Sequence, residues 1–322
     1  MPLLEVSGVH KAIRDQPVLQ GVSLQLEAGE NLAIAGETGS GKSTLLKIIA
    51  GFTQADAGAV YFQGKRVPGP EEKLIPGHPS IAYLSQHFEL RNNYRVEELM
   101  EYANHLPGDQ FERIIENCQI GHLLKRRTDQ LSGGEKQRIA TARLLVGEPE
   151  LLILDEPYSN LDMPHRQTMK EVIRTIQETQ GITCILVSHE PFDILSWADR
   201  LLVMRDGQWV QQGRPQEIYE KPADAYTAGM LGPSMAIEPA LALASGLIDR
   251  PVSAPLLHAR PEAFSILEPG QGAIARLLAS RFAGAIRIHE VLWESQHLIV
   301  YSTDNTRLAP GQEIGLQLTL SR

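Results

Sequence analysis

The sequence predicts an α/β domain with a small helical subdomain, followed by a small all-β barrel. Three observations carry this expectation. Between residues 31 and 50 an apolar run, a glycine-rich loop and a stretch with helical spacing follow one another. Residues 151–154 and 183–187 are uninterrupted apolar runs of the kind found in strands covered on both faces. After a Pro- and Ala-rich stretch, the pattern changes to five short strands separated by turns. A length of 322 residues suits two domains, and 43% hydrophobic against 21% charged residues excludes a disordered or fibrous chain.

Val22, Leu24 and Leu26 alternate with Ser23 and Gln25 before the turn Ala28-Gly29-Glu30, and the apolar run 31–35 ends at Gly36, which predicts two strands. Residues 43–50 carry Leu45, Leu46, Ile48 and Ile49 at helical spacing and stop at Gly51. From 96 to 131 apolar residues recur at helical intervals, as at Val96, Leu99 and Met100 and at Phe111, Ile114 and Ile115, with a break at Pro107-Gly108. A helical subdomain is therefore expected over about 88–131. A polar-faced helix follows at about 165–178, and strands 200–204 and 209–212 flank a tight turn at Asp206-Gly207, closing a first domain assigned to 1–232. Residues 233–254 read as a linker holding one short helix. The strands of the second domain, 255–322, are expected at 263–267, 274–278, 285–292, 298–302 and 314–320.

Lys and Arg number 30 against 39 Asp and Glu, a formal net charge of −9, so the chain as a whole does not attract polyphosphate backbones and no nucleic acid partner is expected. Lys125-Arg126-Arg127 reads as a solvated face. The ten His show no metal-ligand spacing, and Cys118 and Cys184 lie outside any Cys-x-x-Cys pattern. Cys184 stands in an apolar run, where it is expected to pack. With an N-terminus lacking signal-peptide features, these residues suit a reducing cytoplasm. The most lipid-like stretch, 235–248, is interrupted by Glu238 and Pro239 and is shorter than the roughly 20 apolar residues of a membrane span, so a role at a membrane requires another chain.

Gly36-Glu37-Thr38-Gly39-Ser40-Gly41-Lys42-Ser43-Thr44 matches G-x-x-x-x-G-K-S and sits between an expected strand and helix, the context that motif requires. Glycines let backbone N–H groups wrap a phosphate chain, and the helix start that follows adds positive potential. Lys42 is expected to reach the β and γ phosphates and Ser43 to bind Mg²⁺. The run 151–154 ends in Asp155 and Glu156. Asp155 then stands at the strand's carboxyl edge beside the loop, where it supports Mg²⁺ through water, and Glu156 is positioned to polarise an attacking water as general base. An acid pair after a strand is elsewhere often a mere helix N-cap; the neighbouring glycine loop favours the catalytic reading.

Leu131-Ser132-Gly133-Gly134-Glu135-Lys136-Gln137-Arg138 is a second small-residue helix start, and it resembles the signature of the ABC ATPase family. The phosphate loop, the acid-ended strand, the loop Ser159-Asn160-Leu161-Asp162, Gln86 after Tyr83-Leu84-Ser85, and His189 in Val187-Ser188-His189-Glu190 complete that family's set in order, over about residues 3–232. The resemblance implies a P-loop, RecA-like ATPase that uses ATP and Mg²⁺. It implies that Ser132 and the N–H groups of Gly133 and Gly134 face the γ-phosphate held by another copy. One phosphate loop and one signature per chain then call for a head-to-tail homodimer enclosing two nucleotides. By the same resemblance Gln86 contacts Mg²⁺ and the lytic water, His189 bonds the γ-phosphate, and Asp162 couples the two sites. The family's adenine-stacking aromatic aligns, through Pro17-Val18-Leu19, with Ile13. Ile13 and Val18 are expected against the base, with apolar contact in place of stacking and weaker ATP affinity or poorer discrimination against GTP.

Residues 221–226 and 230–235 resemble the junction at which importer-type ATPases lead into a C-terminal OB-like TOBE domain, and His258-Ala259-Arg260-Pro261-Glu262 and Leu308-Ala309-Pro310-Gly311-Gln312 resemble turns of that module. The implied function is the ATP-hydrolysing, energy-coupling subunit of an ABC importer, cytoplasmic and peripheral on the inner face of the cell membrane. It would act with integral permease subunits and an extracytoplasmic binding protein on a small solute of the ferric ion, polyamine, oxyanion or sugar class. The alternative is a soluble ABC ATPase acting on the ribosome or nucleic acid, whose usual tandem cassettes or long coiled-coil insertion this sequence lacks. A cassette without turnover is disfavoured by Lys42, Asp155, Glu156 and His189.

Overall fold

Side chains that alternate in and out of a pleated strand build the first sheet. The structure is a computed structural model describing residues 1–86, 90–159, 161–304 and 308–320. Strands β1 (Leu4–Ile13) and β2 (Gln16–Leu26) pair antiparallel across Arg14 and Asp15, both at positive φ. Buried Leu4, Val6 and Val9 and buried Val22, Leu24 and Leu26 form the inner face. β3 (Asn31–Ala35) runs into the glycine loop and α1 (Lys42–Ile49). β4 (Ala57–Phe62) and β5 (Lys65–Arg66) complete a four-stranded antiparallel sheet in the order β2-β1-β4-β5.

The chain then crosses through β6 (Ile81–Leu84), α2 (Val96–Ala103), α3 (Gly108–Asn117), two short 3₁₀ turns, α4 (Gly133–Leu145), β7 (Leu151–Asp155), α5 (Met163–Gln180), β8 (Thr183–Val187), α6 (Pro191–Leu195), β9 (Arg200–Arg205) and β10 (Gln208–Gly213). These strands and β3 form a six-stranded sheet in the order β10-β9-β3-β8-β7-β6, parallel except for β10. Its central strands are apolar throughout because each feeds two cores. Leu151, Ile153, Ile185 and Val187 pack with α1 and the antiparallel sheet, whereas Leu152, Leu154, Cys184 and Leu186 pack beneath α2 to α5. Pro107-Gly108, expected only as a break, is the start of α3, with Pro107 as its N-cap.

The chain divides into two compact units, Met1–Pro215 and Gln216–Arg322. The second is entered through α7 (Pro215–Glu220) and continues with α8 (Ala225–Met230), β11 (Met235–Ile237), α9 (Pro239–Ala244), β12 (Leu257–Ala259), β13 (Phe264–Leu267), β14 (Ala273–Ala283), β15 (Ile286–Trp293), β16 (Gln296–Ser302) and β17 (Glu313–Leu318). Its OB-like body is a five-stranded antiparallel sheet in the order β13-β17-β14-β15-β16. Residues 233–254 differ from the linker expected there. β11 pairs with β12, and Ile237, Ala242, Leu247 and Ile248 are buried in the same core as Trp293, Val300 and Leu316. Glu238 and Pro239 do not merely interrupt an apolar stretch; they are the N-cap and first residue of α9, where a missing proline N–H costs nothing. The division accordingly falls at 215/216 and not at 232. Among the described residues no helix is long and apolar enough to cross a membrane.

Candidate active site

Parallel strands deliver their carboxyl ends to one edge of the sheet, and the loops that carry chemistry leave from that edge. The loop after β3 ends at Gly41, the N-cap of α1, with φ of 105°. A Cβ at Gly41 would stand 2.7 Å from the Val18 carbonyl oxygen and 2.9 Å from Leu19 Cδ2, so glycine alone fits where the β1–β2 hairpin abuts the loop. Lys42 is 5% exposed. Its ammonium donates to the carbonyls of Gly36 (2.7 Å) and Glu37 (2.8 Å) and lies 3.4 Å from Ser40 Oγ, which centres it in the loop. Burial pushes its pKa down, opposed by the charges of Glu156, Asp155 and Glu37.

Ser43 Oγ donates to Asp155 Oδ1 at 3.2 Å, joining the first turn of α1 to the end of β7. Tyr83, on β6, donates its hydroxyl to the other carboxylate oxygen at 2.8 Å. Burial, and then the Asp155 charge, push the Tyr83 pKa well up, so the phenol stays a donor. Ser43, Tyr83, Gln86 and Asp155 line an open cleft of about 700 Å³. Hydroxyl, carboxylate and amide oxygens make a hard donor group, which suits Mg²⁺.

Glu156 leaves β7 in a left-handed conformation, φ 54°, held by its N–H donating to the Val187 carbonyl at 2.9 Å. A non-glycine residue in this region is uncommon, and here the conformation carries a carboxylate between two loops. Glu156 Oε1 is 2.5 Å from His189 Nε2, and Oε2 accepts from Gln86 Nε2 at 3.0 Å. Such a carboxylate can take a proton from a water held beside it. The His189 loop is braced from behind. Ser188 Oγ donates to Asp193 at 3.0 Å, and Asp193, buried on α6, pairs with Arg166 (2.7 Å) and Lys170 (2.6 Å) of α5.

Ser132 caps α4: its Oγ accepts from the Glu135 N–H at 3.3 Å while Glu135 Oε2 accepts from the Ser132 N–H at 2.8 Å, a reciprocal capping box at the helix start holding Gly133 and Gly134. Buried Gln137 donates its amide to the Pro157 carbonyl and so ties α4 to the residue after Glu156. Asp162 caps α5, accepting from the His165 N–H at 3.1 Å; this bond and the His165 ring hold its carboxyl below the usual carboxylate range. Asn160 lies outside the described residues.

The edge thus brings together the loop 36–44, Gln86, Asp155, Glu156 and His189, while Ser132 and Asp162 form a second group joined through His165. Ile13 ends β1 and is 48% exposed; Val18 on β2 is half-buried. None of the motifs in the sequence gives a role to Tyr83, His165 or the Asp193 ion pairs. Asp193, an acid in a short helix otherwise led by apolar residues, was a usable signal; nothing local marks the Tyr83 hydroxyl as facing Asp155.

Residues 19–159 match the family model described as ABC transporter. The chain is 33% identical to the Fe(3+) ions import ATP-binding protein FbpC 1 of Rhodococcus jostii, over 98% of this chain and 96% of that one. It is 36% identical to the sn-glycerol-3-phosphate import ATP-binding protein UgpC of Chromohalobacter salexigens, over 77% of this chain and 68% of that one. Among solved structures, cbiO1 of Clostridium perfringens, part of the ABC transporter complex cbiONQ, superposes with a TM-score of 0.59 at 28% identity, covering 68% of this chain and 91% of that chain.

Proposed function

The chain belongs to the ABC transporter family, among the ATP-binding proteins of importers, and from that premise we infer that its two groups of site residues act on one nucleotide from two copies of the chain. It hydrolyses ATP as the energy-coupling subunit of an importer. The alternative of an ATPase serving ribosomes or nucleic acid is set aside, because relatives covering nearly the whole chain are import proteins. The observation that carries the catalytic assignment is the meeting of Gln86, Glu156 and His189 beside Asp155.

In this reading, N–H groups of the loop 36–44 wrap the triphosphate, Lys42 reaches its β and γ phosphates, and Ile13 and Val18 lie against adenine. Ser43, Asp155 and Gln86 would hold Mg²⁺, which would supply positive charge to offset the charge of the transferring phosphate. Glu156 accepts a proton from the water whose oxygen attacks the γ-phosphorus, and the electron pair of the broken bond leaves with ADP. His189 and Gln86, already bonded to that carboxylate, orient it and face the γ-phosphate and the lytic water. Ser132, Gly133 and Gly134 of a second copy grip the same γ-phosphate, and Asp162 couples the two sites. Hydrolysis reopens the homodimer, and the motion drives permease subunits at the inner face of the membrane, supplied by an extracytoplasmic binding protein. The cargo is a small solute of the ferric ion, polyamine, oxyanion or sugar class, chosen by those partners.

Glu156→Gln tests this. Turnover is expected to fall about 10²–10⁴-fold, the usual worth of a general base, while ATP accumulates in a stable dimer seen by light scattering. Unchanged turnover removes Glu156 as the base. A trapped nucleotide enclosed by one copy alone defeats the two-copy mechanism.

A further inference from the structure

Ser132 and Asp162 stand on different elements, yet one imidazole touches both. His165, in the first turn of α5, places Nδ1 2.5 Å from Asp162 Oδ1 and Nε2 3.5 Å from Ser132 Oγ. Its seat is Gly134: a Cβ built there would come within 2.7 to 2.8 Å of His165 Cδ2, Cβ and Cγ, so the ring lies directly on the signature glycine. A carboxylate at Nδ1 fixes both the tautomer and the orientation of an imidazole, leaving Nε2 directed at the partner on the other side. The order carboxylate, imidazole, serine hydroxyl is thus assembled within one chain, from the cap of α5 to the cap of α4.

We propose that His165 is a positioning residue for the grip on the second copy's nucleotide. It sets the rotamer of the Ser132 hydroxyl and binds the start of α4 to the loop ending at Asp162, so that both meet the γ-phosphate as one body. The hydrogen-bond count supports the role. Ser132 Oγ already accepts from the Glu135 N–H, and the Nδ1 side of the ring is taken by Asp162, so Nε2 is the ring atom left to meet the Ser132 hydroxyl, which still has its own proton to give. That proton is the one a phosphate oxygen would take over, and the imidazole holds it in place until then. This inference rests on the two-copy reading given above.

The test uses the full chain carrying Glu156→Gln, with ATP and Mg²⁺, and reads the dimer dissociation constant by sedimentation velocity. His165→Ala is expected to weaken ATP-driven dimerisation about tenfold, as befits a lost hydrogen bond to a polar partner in each of two grips, while binding of a fluorescent ATP analogue to the single copy changes less than about twofold. In a Ser132→Ala background the same substitution is expected to add almost nothing, because both act through one hydroxyl. His165→Gln, which keeps a polar side chain of similar length, guards against a folding defect and should loosen the dimer likewise. If the parent dimerises and His165→Ala dimerises equally well, or if the two effects multiply independently, the inference is overturned. If the parent stays monomeric with ATP, the two-copy reading falls and takes this inference with it.

Discussion

Arg260 gives the most quantitative test of the second unit. The side chain is 5% exposed. Nη1 donates to the carbonyls of Ala228 (2.9 Å), Gly232 (2.9 Å) and Pro233 (3.2 Å), Nε and Nη2 both reach the Tyr219 carbonyl at 3.2 Å, and the guanidinium stacks 4.1 Å from the Tyr219 ring centre. It therefore bonds carbonyls at and beyond the end of α8, where only part of the helix's carbonyls are served by its own backbone, as at Ala228, which also accepts from the Leu231 N–H at 3.3 Å. Replacing it by Met keeps much of the volume and removes all the donors. Four carbonyls lose a charged donor, at about 1 kcal/mol or more each, and relief of the buried guanidinium's desolvation returns part of this. The net loss is about 2–4 kcal/mol. For a domain of this size that lowers the midpoint of its thermal transition by roughly 10–20 °C. Differential scanning calorimetry of the full chain reads it as a shift in one of two transitions, and Arg260→Lys, with a single ammonium in place of a planar fork, should recover only part of the difference. A cost below about 1 kcal/mol would refute the claim that this side chain organises the unit's entry.

Three further perturbations address the site. Tyr83→Phe removes the donor to Asp155 and leaves the ring beside Phe52; the Mg²⁺ concentration for half-maximal ATPase should rise about tenfold, and an unchanged Mg²⁺ titration would contradict the contact's importance. Ile13→Tyr adds a stacking face at an exposed position, so ATP affinity measured by calorimetric titration should rise by about 1 kcal/mol; equal or better binding by the wild type counts against Ile13 facing adenine. Gly41→Ala forces a Cβ against the Val18 carbonyl at positive φ, a strain of at least about 1–3 kcal/mol, and should abolish binding of a fluorescent nucleotide; wild-type binding would show that the loop relaxes freely.

Much of the architecture was legible because its signals are local. The run 31–35 and the run 183–187 are β3 and β8 to the residue, since a strand buried on both faces shows up as unbroken hydrophobicity. The first antiparallel sheet was read only at β2. Register shifts along β1, between Val6 and Val9 and again before Ala12, break the alternation that would have revealed it. The stretch 233–254 looks like a linker in the sequence for a related reason: β11 and α9 are too short to show a period, and their burial depends on β12 and the sheet beyond.

The chain's linear pattern determined the chemistry available to it: a glycine loop ending in Lys42 and Ser43, a strand ending in Asp155 and Glu156, a capped helix led by Ser132. Each depends on a few adjacent residues whose backbone conformation is dictated by their own side chains, and so each can be read without a partner. Which of these groups touch was decided only by tertiary structure. The left-handed turn at Glu156 delivers its carboxylate to Gln86 and His189, Tyr83 meets Asp155 across neighbouring strands, and His165 spans Ser132 and Asp162. Such contacts join residues far apart in the chain, where sheet order and helix packing set the distances and no neighbouring residue records them.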